Sequence, residues 1–419
     1  MKRTLISLLS IVLVLSFVLT ACGTPKVRPP AGPVTLAYWE QEGADVDVFI
    51  DQLIANFQAQ YPTITVQRTH YENEALRDQF QTASLAQSAP DVVRVPNDFA
   101  GPFSVLDIIA PVDKLFSKSF QSQFFQGSLD PAIVAGTLWG VPDNYGNHLM
   151  LVYNKSLIAK PPATFEDLIT QAKGLTKNGI QGFAYNLNEP FWGAGFYGAF
   201  GGWPLDAKDK PTFNNQAFID YLTFVAKLKT DGIVPQECDY ACADTLMKAG
   251  KAAMIINGDW SLGDYTKALG DKMGVVPVPT IKGKPFTEMT AGKYFMVSNA
   301  VLDNPDKKSA VQLFITYMTS ADVQKQWLDK FKRLPSNKTI AKDPSIVSDP
   351  ILAGSMLALA NGRGQPAAPS MRCAWDAWRP NLEGVMAGKL DPKAASAAAQ
   401  KAADDCVATL GQPTAVPTK

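Results

Sequence analysis

The fold is decided by residues 34–66, VTLAYWEQEGADVDVFIDQLIANFQAQYPTITV. The segment Val34 to Trp39 is rich in β-branched and aromatic side chains, which predicts a strand. Apolar residues then recur at helical spacing up to Pro62, which predicts an amphipathic helix. Ile64 and Val66 alternate with polar residues and predict a second strand. Strand, helix, strand is the order of two parallel strands joined by a crossover helix.

The same order continues beyond this segment. Residues 76–86 predict a second helix, and residues 90–93 open a third strand. This alternation predicts an α/β fold in which helices cover both faces of a parallel sheet. Ligands of such sheets bind beyond the carboxyl ends of the strands. Glu42 and Asp98 each follow a predicted strand end, so both are candidate ligand contacts.

The N-terminus carries an export signal. Lys2 and Arg3 precede the apolar run Leu5 to Leu19, which predicts a signal peptide over residues 1–21. A leucine three residues before Cys22, with small residues between, resembles the bacterial lipoprotein box. That resemblance implies cleavage before Cys22 and its lipidation; ordinary secretion with an incidental thiol is the alternative.

Residues 22–33 are rich in proline and glycine and predict a tether that holds the globular part at the outer face of a membrane. The apolar run of the signal is too short to span a bilayer, and no later segment is long and apolar enough. The lipid on Cys22 is therefore the only membrane attachment that we predict.

Length and composition predict two soluble domains. The chain has 419 residues, more than one domain usually contains, and its hydrophobic content of 46% supports sizeable cores. The 39 basic and 39 acidic residues balance, which argues against a nucleic-acid-binding surface. We predict no cofactor and no metal, because the chain contains only His70 and His148 and no metal-ligand cluster built from them.

Four cysteines follow Cys22. An even number in an exported chain predicts two disulfides, for which three pairings are possible. We favour Cys238–Cys242 as a local clip and Cys373–Cys406 as a staple between C-terminal helices. A zinc site built from the four thiols is the alternative.

Residues 183–203, here called the aromatic stretch, contain eight aromatic residues and five glycines. The aromatic residues follow neither helical spacing nor strand alternation, so the usual pattern of a buried core is missing. Glu189, Asn186 and Asn188 place polar groups beside the rings. Flat faces and polar edges suit a sugar, and glycines would allow close approach. A loop-rich aromatic mini-core is the alternative.

The order of motifs along the chain resembles the family 1 extracellular solute-binding proteins of sugar ABC importers, and the maltodextrin-binding proteins most. The matching segments cover nearly all of the chain after the tether. They are residues 90–92 with Asp98, 139–142, 151–155, 161–165, 186–192, 253–260 and 366–375.

This resemblance implies a two-lobed periplasmic-binding-protein fold of type II, in which each lobe is a sheet flanked by helices. We expect a first lobe of residues 34–145 and 293–337, and a second lobe of residues 146–291 and 338–410. Ligand would favour closure of the interlobe cleft by contacting both lobes. The chain would cross between lobes three times, near Tyr145–His148, Glu288–Gly292 and Pro335–Asp343.

The resemblance and the motifs together nominate a set of sugar-binding residues. Arg379 lies one helical turn after Trp375, whereas Trp378 is expected to pack inward. Where the maltodextrin pattern has aromatic residues, this chain has Val95 and Leu262, which leaves the size and linkage of the sugar open. The predicted platforms are Tyr145, Phe191, Trp192, Trp260 and Trp375, and the predicted polar contacts are Glu42, Asp98, Asn144, Glu189 and Arg379.

A glycoside hydrolase and a receptor for a different solute are the alternatives to a sugar receptor. A glycoside hydrolase would use two carboxylates across a cleft, but no nucleophile motif or phosphate-binding loop accompanies the acids here. A receptor of the same fold for a polyamine would also use acids and aromatic residues. The asparagines and Arg379 favour a neutral polyol. The membrane subunits and ATPase of the importer must be separate chains, and we expect a monomer.

Overall fold

The computed structural model describes residues 27–410; the predicted signal peptide, residues 1–21, and Cys22 lie outside them. The strands are β1 Val34–Glu40, β2 Ile64–His70, β3 Val92–Pro96, β4 Ile133–Val134, β5 Thr137–Leu138, β6 Val141–Pro142, β7 Leu149–Asn154, β8 Gln181–Ala184, β9 Ala252–Gly258, β10 Met273–Val276, β11 Met289–Thr290, β12 Lys293–Val297 and β13 Arg363–Gly364.

The α-helices are Asp47–Gln60, Asn73–Leu85, Ala100–Val105, Lys118–Gln121, Gln126–Leu129, Phe165–Leu175, Pro190–Ala199, Gln216–Thr230, Tyr240–Lys248, Leu262–Leu269, Pro305–Met318, Ala321–Phe331, Ser345–Ser348, Pro350–Leu359, Ser370–Met386 and Pro392–Val407. Short 3-10 helices are Asn97–Phe99, Val112–Lys114, Asp130–Ala132, Asp259–Ser261, Gly270–Lys272, Asn299–Asp303 and Ile340–Lys342.

The first lobe is built on a five-stranded sheet with the order β2-β1-β3-β12-β6. β1 pairs in parallel with both β2 and β3, which confirms the prediction from the opening segment. β12 comes from much later in the chain and is antiparallel to β3, with Lys293 opposite Pro96. The helices Asp47–Gln60 and Pro305–Met318 pack on this sheet.

The second lobe is built on a four-stranded sheet with the order β10-β7-β9-β8. β7 is antiparallel to both of its neighbours, whereas β8 and β9 are parallel. The helices Phe165–Leu175 and Pro350–Leu359 pack on β8 and β10. The first of these begins with a capping box between Thr164 and Asp167, which satisfies backbone N–H groups at the helix start.

The aromatic stretch folds differently from the loop-rich prediction. It contains β8 and the helix Pro190–Ala199, and most of its rings belong to the core of the second lobe. Its helical glycines serve packing: a Cβ at Gly193 would collide with Tyr221, and one at Gly195 with Phe286. Close helix packing, not close ligand approach, therefore explains these glycines.

Trp378 lies inside the second lobe, as expected from its helical position. It is fully buried, and the rings of Phe218 and Tyr221 lie 5.4 and 5.6 Å from it between centroids. These edge-on contacts anchor the helix Ser370–Met386 and thereby fix the neighbouring Trp375.

Backbone hydrogen bonds join three segments of chain near the predicted crossings. Gly146 and Ala291 exchange backbone hydrogen bonds of 3.1 and 2.8 Å. Tyr145 donates its backbone N–H to the carbonyl of Leu334, one residue before the third predicted crossing, at 2.9 Å. The three segments are therefore held together, and rotation of the lobes about them stays a prediction.

The described part of the predicted tether, residues 27–33, contacts the first lobe. Val27 packs against the core of the first lobe, and the Ser309 hydroxyl donates a hydrogen bond to the Arg28 carbonyl. Residues 27–33 therefore lie along the first lobe. Among residues 27–410, no helix is long and apolar enough to cross a membrane.

Both favoured disulfides are confirmed. Cys238 is bonded to Cys242 and Cys373 to Cys406, so the zinc alternative is wrong because the four sulfurs are bonded in pairs. The second bond joins the helices Ser370–Met386 and Pro392–Val407 across a separation of 33 residues. Within the described part of the chain, no group of three or more acidic, histidine or cysteine side chains forms a metal site.

The two disulfides should differ in their effect on stability. In the loop-entropy model, replacing Cys373 and Cys406 together by alanine lowers the free energy of unfolding by about 3 to 4 kcal/mol. The matched pair Cys238 and Cys242 closes a loop of separation 4, so its removal should cost about 2 kcal/mol. Urea unfolding of both double variants checks this, and equal losses would contradict the model.

Candidate ligand-binding site

A cavity of about 580 Å³ lies between the two lobes. Its walls come from the loops after β1, β3 and β9, from the start of the helix Pro190–Ala199 and from the helix Ser370–Met386. Eight of the ten predicted sugar-binding residues line it, namely Glu42, Asp98, Glu189, Phe191, Trp192, Trp260, Trp375 and Arg379. The structure thus brings residues from distant parts of the sequence to one place.

One wall is aromatic. The rings of Phe191 and Trp192 lie 6.0 and 5.6 Å from the ring of Trp260 between centroids. Hydrogen bonds hold both indoles, because Trp192 donates to the Ile256 carbonyl at 3.0 Å and Trp260 donates to the Tyr240 hydroxyl at 3.2 Å. The wall is therefore rigid and presents ring faces and edges to the cavity.

Trp375 forms a second aromatic surface and is held across the lobes. Its indole N–H donates to Asp98 Oδ2 at 2.9 Å, and its ring stacks on Trp378 with a centroid distance of 5.7 Å. Asp98 Oδ1 is buried without a hydrogen-bond partner in the described residues. Burial raises the pKa of Asp98 to about 6. Asp98 thus orients Trp375 and keeps one oxygen free to accept from a ligand.

Glu42 lies at the floor of the cavity, but its carboxylate is already engaged. Arg94 donates to Oε1, and Arg333 donates to Oε2 at 2.9 Å. Arg94 also donates to Asp143 Oδ2 at 2.7 Å. Burial alone would raise the pKa of Glu42, yet the Arg333 and Arg94 guanidinium groups lower it well below its usual range. The predicted role of Glu42 as a bidentate acceptor for sugar hydroxyls does not fit this geometry.

Glu189 and Arg379 bond to each other at the rim of the cavity. Two hydrogen bonds of 2.6 and 3.0 Å join the guanidinium to the two carboxylate oxygens. Glu74 of the first lobe lies 4.0 Å from Arg379 and accepts from Arg372 at 3.0 Å. These two predicted ligand contacts therefore form part of an ionic bridge between the lobes.

Asn144 and Tyr145 do not line the cavity. Asn144 Oδ1 accepts the backbone N–H of Lys293 at 2.7 Å, so its amide helps to hold the crossing segments. The Tyr145 ring packs edge-on against Phe125 with centroids 4.9 Å apart. Both lie one or two residues before the chain turns into the second lobe, and this position explains their structural contacts.

Gln41 and Lys293 are two of the cavity residues that the sequence analysis did not nominate. Gln41 lines the cavity, and both polar atoms of its amide are buried without a partner in the described part of the chain. The rule that ligands bind beyond strand ends indicates this loop, but the sequence analysis nominates Glu42 and not Gln41 there. Lys293 also lines the cavity, and no sequence signal could place it there, because β12 enters the first sheet from far along the chain.

Comparison with known proteins decides the family. Residues 52–354 match the family model described as bacterial extracellular solute-binding protein. The chain belongs to this family. The two-lobed fold and the resemblance found in the sequence are thereby confirmed.

Two relatives that are named for the sugars they bind span most of this chain. A maltotriose-binding protein of Pyrococcus abyssi is 23% identical over 377 residues, covering 89% of this chain and 79% of its own length. A maltooligosaccharide ABC transporter solute-binding lipoprotein of Streptococcus pneumoniae R6 is 25% identical over 422 residues, covering 94% and 95%.

Solved structures show the same fold. The maltose/maltodextrin-binding domain MalE of Bdellovibrio bacteriovorus bound to maltotriose has a TM-score of 0.86 and 34% identity, covering 90% of this chain and 100% of that one. The Thermus thermophilus maltotriose-binding protein has a TM-score of 0.80 at 23% identity, covering 89% and 100%, which supports the fold alone.

Substitution of Asp98 by asparagine should reveal the cost of burying its charge. A raised pKa means that Asp98 stabilises the fold below its unfolded pKa and that this stability is lost as pH rises through about 6. At pH 7.5, D98N should therefore unfold with up to about 3 kcal/mol more free energy than the unsubstituted protein. Asparagine can still accept from Trp375.

Urea unfolding between pH 4 and 8 measures this difference. The advantage of D98N should shrink toward pH 4, where Asp98 becomes protonated in the folded protein. The exposed Asp303 serves as the control, and D303N should change the free energy of unfolding by under about 0.5 kcal/mol throughout. A D98N effect that is the same at every pH would contradict the assignment.

Proposed function

We propose that this protein captures a neutral oligosaccharide between its lobes and delivers it to the membrane subunits of an ABC importer. A malto-oligosaccharide or another α-glucoside is the ligand class that we favour. The observation that carries the proposal is the combination, in one interlobe cavity, of the Trp260 and Trp375 ring surfaces with unpartnered polar atoms of Gln41 and Asp98. A sugar ring matches such a site, because its faces are apolar and its edge carries hydroxyl groups.

The names of the relatives support the same ligand class. The proteins of P. abyssi and S. pneumoniae are described as binding maltotriose and malto-oligosaccharides, and the B. bacteriovorus structure contains maltotriose. These ligands share α-linked glucose units. The departures at Val95 and Leu262 leave the preferred chain length to experiment.

We further propose that capture proceeds by closure of the lobes about the three crossing segments, with the lobe boundaries given above. A ligand that contacts both walls binds the closed arrangement more tightly than the open one, and only this difference shifts the equilibrium. Binding without catalysis is supported by the family, which is described as solute-binding, and by the relatives, which are named as binding proteins.

Binding of maltotriose tests the proposal. Isothermal titration calorimetry should detect binding to the unsubstituted chain, and recovery of intact maltotriose should accompany it. W375A and W260A should each weaken binding at least about tenfold, or about 1.4 kcal/mol, because each removes a ring surface. W139A is the matched control, since Trp139 lies outside the cavity and packs against the hydrophobic core of the first lobe.

Three other results would each change the conclusion. Unaltered binding by both cavity variants would move the site elsewhere. Recovery of a shorter sugar would indicate an enzyme. Binding of spermidine without binding of any oligosaccharide would keep the fold and replace the ligand class.

We also propose that a lipid on Cys22 anchors a monomeric receptor to the outer face of the bacterial cell membrane. The lipoprotein-type signal supports this, as does the description of the S. pneumoniae relative as a lipoprotein. In a bacterial host grown with a labelled fatty acid, the full chain should incorporate the label and fractionate with membranes, whereas C22S should incorporate none. Labelling of C22S would contradict lipid anchoring at this cysteine.

A further inference from the structure

Lys293 carries an ammonium group that has no partner among residues 27–410. It lines the cavity, yet its side chain has neither a hydrogen bond nor an ion-pair partner among the residues that the structure describes. Lys248 also lines the cavity, but its ammonium lies 2.8 Å from Asp244 and 2.9 Å from Asp264. Both lysines line the cavity, but only Lys293 keeps its ammonium donors free for a ligand among the described residues.

The backbone of Lys293 is fixed on both sides. Its N–H donates to Asn144 Oδ1 at 2.7 Å, and its carbonyl accepts the Asp143 N–H at 2.8 Å. It is also paired with Pro96 in the sheet, and Asp98 follows Pro96 by two residues. Lys293 and Asp98 therefore extend from the ends of neighbouring strands of the first lobe.

Charged groups around Lys293 shift the pKa of its amine in opposite directions without forming hydrogen bonds to it. Loss of hydration lowers the pKa of the Lys293 amine to about 8; the anions Glu42 and Asp259 raise it, whereas Arg94 and Arg333 lower it. The negative charge of Asp98 also interacts with Lys293. Both Glu42 oxygens accept from arginines, and neither accepts from Lys293 in the described part of the chain, so Glu42 acts on Lys293 through its charge.

The ammonium of Lys293 faces the cavity and can donate to a ligand there. A lysine ammonium has three donors, and the half-buried Lys293 has only solvent or a ligand to accept from them within the described part of the structure. Hydroxyl and ring oxygens of a sugar are neutral acceptors that can reach into a cavity. A cationic group at the same place would be repelled.

We propose that Lys293 is a specificity-determining residue that donates hydrogen bonds to oxygens of the captured sugar, beside Asp98, which accepts from a hydroxyl. The inference rests on the proposed function and assigns one donor and one acceptor to the same end of the ligand. A donor and an acceptor at this place favour the binding of neutral polyols. They disfavour the binding of polyamines and of sugars with an ammonium group at this position.

The test is maltotriose binding by calorimetry to the unsubstituted chain and to K293M. At pH 7, K293M should bind at least tenfold more weakly. K307M is the matched control, because Lys307 bonds to Asp91 at 2.7 Å outside the cavity and its loss should leave the affinity within twofold. K293Q provides a second variant if K293M does not fold.

The pH dependence separates a ligand contact from a structural role. Hydrogen bonds from the ammonium to the sugar stabilise its charged form. The pKa of the Lys293 amine is therefore higher in the complex than in the free protein. The affinity of the unsubstituted chain should therefore be constant near pH 7 and fall above pH 8, by at most tenfold per pH unit. K293M and K293Q should lack this fall.

Each outcome decides the matter. Variants that keep their affinity within threefold, or that retain the fall above pH 8, would overturn the role of Lys293 while binding by the unsubstituted chain upholds the proposed function. Failure of the unsubstituted chain to bind any oligosaccharide would overturn the proposed function and this inference with it.

Discussion

The buried bonds of Arg94 are the constraint on which the site depends. Its side chain is 2% exposed and links Asp143, at the end of the first sheet, to Glu42, in the loop after β1. Arg333 extends the network from Glu42 to the Trp260 carbonyl in the second lobe. Charged groups are stable inside a protein only when their partners are complete, so removing one member would leave another charge uncompensated. The network therefore fixes the floor of the cavity.

This constraint also determines which polar groups remain available to a ligand. The arginines consume the oxygens of Glu42, and the bridge at the rim consumes those of Glu189. Within the described part of the chain, Gln41 and Asp98 keep buried atoms without a partner, and both follow the strand ends of a parallel pair. The ammonium of Lys293 lines the same cavity. Glu42 and Glu189, which the sequence analysis nominates as ligand contacts, thus take part in structural ion pairs. Neighbouring residues keep the polar atoms that remain available to a ligand.

Local patterns in the sequence predicted the parallel start of the first sheet and favoured both disulfides. The family resemblance and the motifs together nominated the cavity residues Phe191, Trp192, Trp260 and Trp375, but not Tyr240. Local patterns were not enough for ion pairing, because the partners of Glu42 and Glu189 lie 52 and 190 residues away. They also misjudged the glycines of the aromatic stretch, since a helix that packs closely on Tyr221 and Phe286 shows no regular spacing of polar residues. Asn144 was misplaced because its role depends on β12, an antiparallel strand that no local pattern assigns to the first sheet.

The lobes contact each other at the cavity through side chains, whereas the crossing segments are joined by backbone hydrogen bonds. This difference is compatible with rotation of one lobe relative to the other. At the cavity, the lobes touch through polar side chains, such as Trp375 with Asp98 and Arg372 with Glu74. Water can replace such bonds, so each contributes only about 1 kcal/mol to closure. The backbone bonds between Gly146 and Ala291 join crossing segments and need not break when the lobes rotate. The open and closed arrangements can therefore be close in free energy, and a ligand that satisfies the unpartnered atoms of both walls supplies the difference that selects closure.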